Sequence, residues 1–237
     1  SMAIYNLLFT DFELLQAIES SSLKKYVNQL SEFEKEFRSK EMPDIEFYLF
    51  GMGNRTKLLY KDGVLKTAIS GEIIKQWPVK RDLIIPNEYK VEIETLTDVF
   101  ITIYEDENGV YIKEGRKNER VEDTKATVKL PTFEGHKYSE ILKVLNHEIL
   151  INIVESKPVP NFIVYNKPWR RDAAMMAMCL EETGNLNLIK DWVLNLNEAY
   201  DRNNEGNTEP DNLGQTLYLL SLFSDKNHPL VSKILED

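Results

Sequence analysis

The chain runs through three patterns of apolar and polar positions, and each predicts a different kind of element. Through residues 8–40, Leu14, Leu15, Ile18, Leu23, Tyr26, Val27, Leu30, Phe33 and Phe37 recur at helical spacing with Glu and Lys between them. Ser20, Ser21 and Ser22 break this stretch into two helices, because serine prefers caps to helix interiors. From 44 to 130 the elements shorten and read as antiparallel β. Ile45–Phe50 is a strand rich in aromatic and β-branched residues, and Tyr89–Thr95 alternates with Val91, Ile93 and Thr95 on one face. Leu58–Tyr60 and Val64–Leu65 flank Asp62-Gly63, a tight hairpin turn, and Phe100–Tyr104 and Val110–Ile112 flank a second polar turn ending at Gly109. Many short strands joined by polar turns predict a sandwich or a meander sheet.

The pattern then lengthens again. His136–Glu155 carries Tyr138, Ile141, Leu142, Leu145 and Ile149 at helical spacing, although Ile149–Val154 reads equally as a strand, and Pro158 and Pro160 end it. The run 172–183 is apolar on every side, which predicts a helix buried all round, stopped by Gly184. Leu186–Leu196 is amphipathic, with Leu188, Ile189, Trp192 and Val193 on its buried side. Asp211–Phe223 is again strongly apolar, and Pro229–Glu236 forms a short amphipathic helix. Asp172 and Asp211 begin the two apolar helices 39 residues apart, and Leu188 and Leu230 sit 42 apart in the amphipathic ones. A unit of about 40 residues alternating buried and half-buried helices predicts a two-layer helical array. The expected layout is α+β: N-terminal helices (1–43), an antiparallel sandwich-like β domain (44–134), a linking helix or strand (135–164) and two helical hairpins (165–237).

Composition narrows the function classes. The chain has 237 residues, 42% hydrophobic and 29% charged, enough for a sizeable core, and a formal net charge of -10. That balance disfavours nucleic acid and anionic membranes, which need clustered Lys and Arg, and is compatible with a neutral ligand. No apolar run is long enough to span a bilayer, so a cytoplasmic location is expected. Ser1 ahead of Met2 reads as a remnant of tag removal. The single cysteine, Cys179, lies in an apolar run and reads as a small core residue. His136, His147 and His228 lie far apart with no zinc-binding spacing, so neither a metal nor another cofactor is expected. Gly51-Met52-Gly53 follows a strand, but another strand rather than a helix comes next, so it is not a dinucleotide loop.

Two polar stretches carry the candidate chemistry, each entering an apolar helix. In the first, Trp169-Arg170-Arg171-Asp172, the aspartate suits a helix cap, but two arginines oppose the helix dipole. A ligand supplies another reason for them, since an indole can stack on a sugar ring while Arg and Asp bond its hydroxyls. In the second, Glu209-Pro210-Asp211-Asn212-Leu213-Gly214-Gln215, the acidic residues could pair with Asp172 across a cleft, as glycoside hydrolysis requires, or could simply cap a helix. The candidate catalytic carboxylates are Asp211 and Glu209.

The Trp169-x-Arg171-Asp172-Ala173-Ala174 core with Gly184 resembles the first inner-helix motif of the glucoamylase-type six-hairpin, (α/α)6 toroid glycosidases, and Glu209–Gln215 resembles the start of a following inner helix. The likeness covers residues 165–237. It implies a partial (α/α) toroid behind the β domain and a carbohydrate partner. It further implies that Trp169, Arg171, Asp172, Asn212 and Gln215 bind substrate. Six hairpins need roughly 240 residues and two are present, so the resemblance implies a portion of a longer glycosidase or a relative lacking the full catalytic set. The alternative expectation is a non-catalytic scaffold that forms a homo-oligomer through apolar faces left open by an incomplete helical array.

Overall fold

The structure is a computed structural model that describes residues 21–40, 45–121 and 126–236. The first predicted helix, with Leu14, Leu15, Ile18 and the break at Ser20, lies outside the described residues, as does the 43/44 boundary. The chain is a mixed α+β protein that divides into two compact units. Among the described residues, one comprises 21–40, 45–51, 56–121 and 130–147, and the other comprises 52–55, 126–129 and 148–236.

The first unit is built on two antiparallel sheets. One has four strands in chain order: β1 (Tyr48–Phe50), β2 (Leu58–Lys61), β3 (Val64–Thr67) and β4 (Ile73–Gln76). The other has five, also in chain order: β5 (Val79–Ile85), β6 (Lys90–Thr95), β7 (Phe100–Glu105), β8 (Val110–Glu114) and β9 (Lys117–Arg120). Every neighbour is a hairpin partner, so both sheets are meanders. The β2–β3 turn is the predicted Asp62-Gly63 pair, and both residues have positive φ, 48° and 80°, the mirror-image turn that matches strand twist.

The alternation read from sequence places the core. Tyr48, Phe50, Leu58, Tyr60 and Leu65 from the four-stranded sheet form one buried cluster with Val91, Ile93, Ile101, Ile103, Val110 and Ile112 from the five-stranded sheet. Within the larger sheet the inward residues are direct cross-strand partners: Val91 opposite Ile103, Ile93 opposite Ile101, Ile103 opposite Ile112. Tyr60 keeps its buried hydroxyl satisfied by donating to Asp82 at 2.6 Å and accepting from the Gly63 amide at 3.1 Å.

Two helices belong to this unit in whole or part: α1 (Ser21–Phe37) and α2 (Ser139–Ile151), the latter crossing the division between the units after His147. Leu23, Tyr26 and Val27 of α1 pack on Ile85, with Ile141 and Val144 of α2 against the same cluster. Gln29 of α1 accepts the Glu140 amide at 2.8 Å, so the orphan N–H groups at the start of α2 are capped by another helix. Gly51, at φ 101°, donates its amide to the Glu105 carboxylate at 2.9 Å, and a Cβ there would lie 2.2 Å from the Thr56 carbonyl oxygen. The Gly51-Met52-Gly53 motif is thus a tight backbone turn followed by β2, as expected.

The second unit is helical. It contains the hairpin β10 (Ile153–Val154) and β11 (Lys157–Pro158), and then α3 (Arg170–Glu182). A 3-10 turn (Leu186–Ile189) leads into α4 (Lys190–Leu194), and α5 (Asn212–Ser221) and α6 (Pro229–Glu236) follow. The ambiguous Ile149–Val154 is shared: α2 runs through Ile151, and β10 takes the last two residues. Gly184 ends α3 as expected. At φ 74° it donates to Glu181 O, while the Asn185 amide reaches Leu180 O, the paired bonds of a Schellman cap.

Two expectations fail here. The six helices of the described residues form no (α/α) toroid. The predicted outer helix Leu186–Leu196 is split into a 3-10 turn and five residues of α-helix, too short to flank an inner helix along its length. Nor is α3 buried all round: Ala173, Ala174, Ala177 and Leu180 are buried, but Met175 is 64% exposed, Met178 51%, and Cys179 is an exposed free thiol. The short side chains mark the packed face, and the long ones turn outward.

His147 supplies a test of the first unit. It is buried between the rings of Tyr48 and Tyr89, 5.0 and 5.9 Å away, with Nε2 3.0 Å from Leu49 O. Burial pushes its pKa down to about 4, so the folded unit holds it neutral. A depressed histidine pKa means that stability is fully present above the unfolded value near 6.5 and is lost as pH falls toward 4. Urea unfolding should lose about 3 kcal/mol across that window through this residue. His147→Phe, which keeps a stacking ring, should flatten the dependence, and equal pH slopes in the two proteins would refute the assignment.

Candidate functional site

The entry to α3 is organised by two adjacent arginines that a helix turns 100° apart, and they end in opposite environments. Arg170 is 6% exposed. Its Nε donates to Thr216 Oγ1 of α5 at 3.2 Å, its Nη2 to Glu198 O at 3.0 Å, and its guanidinium lies 5.6 Å from the Trp192 ring centre. Burial lowers its pKa, while the charges of Asp201 and Glu198 work the other way. The Arg170 amide donates to the Asp201 carboxylate, so Asp201 caps α3. This corrects the expectation for Asp172, which lies in the first turn of α3 and makes no cap bond.

The network continues into α5. The Asp201 amide donates to Asn212 Oδ1 at 3.1 Å, Asn212 Nδ2 donates to Gln215 Oε1 at 3.1 Å, and Thr216 Oγ1 donates to Ala199 O at 2.8 Å. Asn212 is 1% exposed and Thr216 fully buried. Asn212, a sequence candidate for binding substrate, is therefore committed to holding the loop before its own helix.

Arg171 points outward, and its donors are engaged on the surface. Nε and Nη2 meet Asp211 Oδ2 at 3.1 and 2.8 Å, and Nη2 also reaches Glu209 Oε2 at 3.0 Å. Gln215 Nε2 donates to the same Asp211 oxygen at 2.8 Å. The structure thus brings Arg171, Glu209, Asp211 and Gln215 together. The Asp211 bonds raise the Arg171 pKa, and in return Arg171 pulls the Asp211 pKa below the usual carboxylate range. A proton donor for glycosidic cleavage needs the opposite shift. Half-buried Trp169 has Lys167 Nζ 4.0 Å from its ring centre, so a cation stands where a sugar would stack. Among the described residues no group of three or more His, Cys, Asp or Glu side chains could hold a metal ion.

Comparisons with protein-family models, with curated proteins and with solved structures find no match. With no matching structure and no toroid, the resemblance to the glucoamylase-type enzymes is overturned. Within the motif, Arg171 pairs with Asp211 and Glu209, and Ala173 and Ala174 are buried.

Sequence reasoning missed Arg170 as the anchor, Asp201 as the cap, and the outward face of α3. The last had a visible signal. Ala173, Ala174, Ala177 and Leu180 lie on one arc of the helix, and Arg171, Met175, Met178 and Glu182 lie on the opposite one, where all four are exposed.

The two arginines should separate cleanly in a stability measurement. Arg170→Ala removes a buried charge and leaves Thr216 and Asp201 without their neighbour, which should cost about 3 kcal/mol in urea unfolding. Arg171→Ala touches only solvent-exposed ion pairs and should leave the midpoint almost where it is. Equal effects from the two substitutions would contradict the division into anchor and surface residue.

Proposed function

We propose that this protein is an interaction module whose contact surface is the outer face of α3. The observation that carries this reading is the exposure of Met175 and Met178 on a regular helix whose other side is locked by the Arg170 network. Unbranched methionines on a rigid helix face adapt to a facing surface, and clustered apolar exposure marks contact sites. A second apolar feature precedes α3 in the same unit. Ile163, Val164 and Tyr165 are 58%, 72% and 55% exposed on a loop held by Asn161, whose Oδ1 accepts the amides of residues 163 and 164 at 2.9 and 3.0 Å. Loop 161–165 therefore presents apolar side chains from ordered backbone.

The exposed apolar residues at the sheet turns favour a contact surface less. Ile69 and Ile73 lie at the β3–β4 turn, and Leu96 and Phe100 at the β6–β7 turn, so neither pair forms a continuous helical stripe. No helix among the described residues is long and apolar enough to cross a membrane. A reducing, cytoplasmic setting fits an exposed thiol at Cys179 within this surface.

The reading is tested by placing a photo-crosslinking benzoylphenylalanine at Met175, and at Arg116 on the exposed β8–β9 turn as control, in cells making the protein. Light should yield a protein adduct from position 175 several times more often than from 116. Equal yields, or none at 175, would remove the surface from consideration.

A further inference from the structure

We infer that residues 52–55 act as a latch on the second unit: Asn54 holds the β10–β11 turn closed against that turn's own backbone preference, so latch, turn and 3-10 segment open as one event. The latch involves no residue of the α3 contact face. Val154 pairs with Lys157, so Glu155 and Ser156 alone make the turn, and both have positive φ, 50° and 62°. A two-residue turn of this kind favours Asn-Gly, Asp-Gly or Gly-Gly, because glycine takes positive φ freely and Asn and Asp tolerate it. The β2–β3 hairpin closes an equal loop with Asp62-Gly63. Glutamate and serine have neither advantage. A non-glycine residue held at positive φ costs free energy and persists only where its surroundings dictate the conformation. β10 and β11 have two residues each, far short of a hairpin that is stable by itself. Burial of Ile153 and Val159 anchors the two ends, but apolar contact is non-directional and fixes no φ at 155 and 156.

Asn54 supplies that constraint. Its Oδ1 accepts the Ser156 amide at 2.7 Å, and its Nδ2 donates to Ser156 Oγ and to Leu188 O, both at 3.3 Å. One side chain therefore grips the turn by backbone and hydroxyl, and joins it to the 3-10 turn Leu186–Ile189. Gly53 brings Asn54 into reach. It lies at φ 63° and donates its amide to Leu150 O, near the end of α2, at 2.8 Å. A Cβ there would stand 2.9 Å from Val128 Cγ1 and 3.3 Å from Leu188 Cδ2, so only glycine passes this close. Arg55 Nε then donates to Ala126 O at 3.1 Å. All of these residues belong to the second unit. The Gly51-Met52-Gly53 motif thus delivers a polar clasp. Opening reaches beyond the turn. Asn152 O accepts the Val159 amide and Asn152 Oδ1 the Phe162 amide, so the base of the hairpin leads directly into the exposed apolar loop 161–165. Loss of the Asn54 bonds releases the strain at 155–156 and the tie to Leu188 together, which makes the opening cooperative.

The test is amide hydrogen exchange in the full chain, read at amides whose own bonds do not involve Asn54. Those are Gly53 (to Leu150 O), Val159 (to Asn152 O) and Leu188 (to Asn185 O). In the wild type, after correction for intrinsic chemical rates, the three should share one opening constant and one urea dependence, about tenfold or more above the opening of the Ala177 amide inside α3. Asn54→Ala should raise exchange about tenfold at all three and leave Ala177 unchanged. Adding a permissive turn to that variant, Glu155→Asn with Ser156→Gly, should return Val159 to wild-type protection and leave Leu188 fast, because the new turn holds itself but not the 3-10 segment. Three unrelated openings in the wild type overturn the latch, a result that needs no variant to fold. Asn54→Ala exposing the Ser156 amide alone, or an Asn-Gly turn that fails to restore Val159, overturns it as well.

Discussion

A buried guanidinium sets the geometry of the helical unit. Taking Arg170 out of water is tolerable only because Thr216, the Glu198 carbonyl and the Trp192 ring receive it and Asp201 stands close by. Those partners come from α4, the loop after it and α5, so one side chain ties three segments to the start of α3. The Asp201 carboxylate then caps α3, and the Asp201 amide binds Asn212 at the start of α5. Two helix beginnings are thus fixed by one short loop. A local cap such as Asp172 would satisfy α3 alone and leave the position of α5 unspecified. Capping from Asp201 couples the two, which explains why Arg170, Asp201, Asn212 and Thr216 are buried rather than at the surface.

The β unit follows a different principle, and its logic was far more legible. Strand alternation has a period of two, so a few β-branched residues fix which face is buried. Val91 and Ile93, read from sequence as one face of a strand, are both in the core. Asp62-Gly63 specifies its own turn because Asp and Gly are among the few residues that readily take positive φ. Gly184 was legible for the same reason. These features are local: the residues that cause the structure adjoin it in sequence.

What escaped the reading depends on distant partners. The Asp201 cap lies 31 residues from the helix it serves, and the Gln29 cap on α2 lies 111 residues away, so no window around either helix reveals them. The helical hairpins were over-read for a related reason. A period near 40 residues is satisfied by any two helix pairs with similar loops, and it says nothing about whether the shorter partner stays helical. Asp211 was expected to face Asp172 across a cleft, and it pairs instead with Arg171. Residue type suggested proximity there; only geometry could say that the groups satisfy each other.

The face of α3 follows from the anchor. Once Arg170 is fixed inward, the 100° step of the helix determines every later residue. Ala173, Ala174, Ala177 and Leu180 fall on the anchored side, where short side chains allow close packing, and Arg171, Met175, Met178 and Glu182 fall opposite. Reading the run 172–183 as uniformly apolar hid this division, because methionine and alanine count alike on a hydrophobicity scale while differing by three heavy atoms in reach. Size, rather than polarity, separates the packed side from the exposed one. A helix held this firmly on one side presents its other side without backbone freedom to lose on contact, which favours association. The burial of one arginine and the exposure of the next are therefore parts of one arrangement: the first fixes the helix phase, and that phase turns the second outward to Asp211 and Glu209.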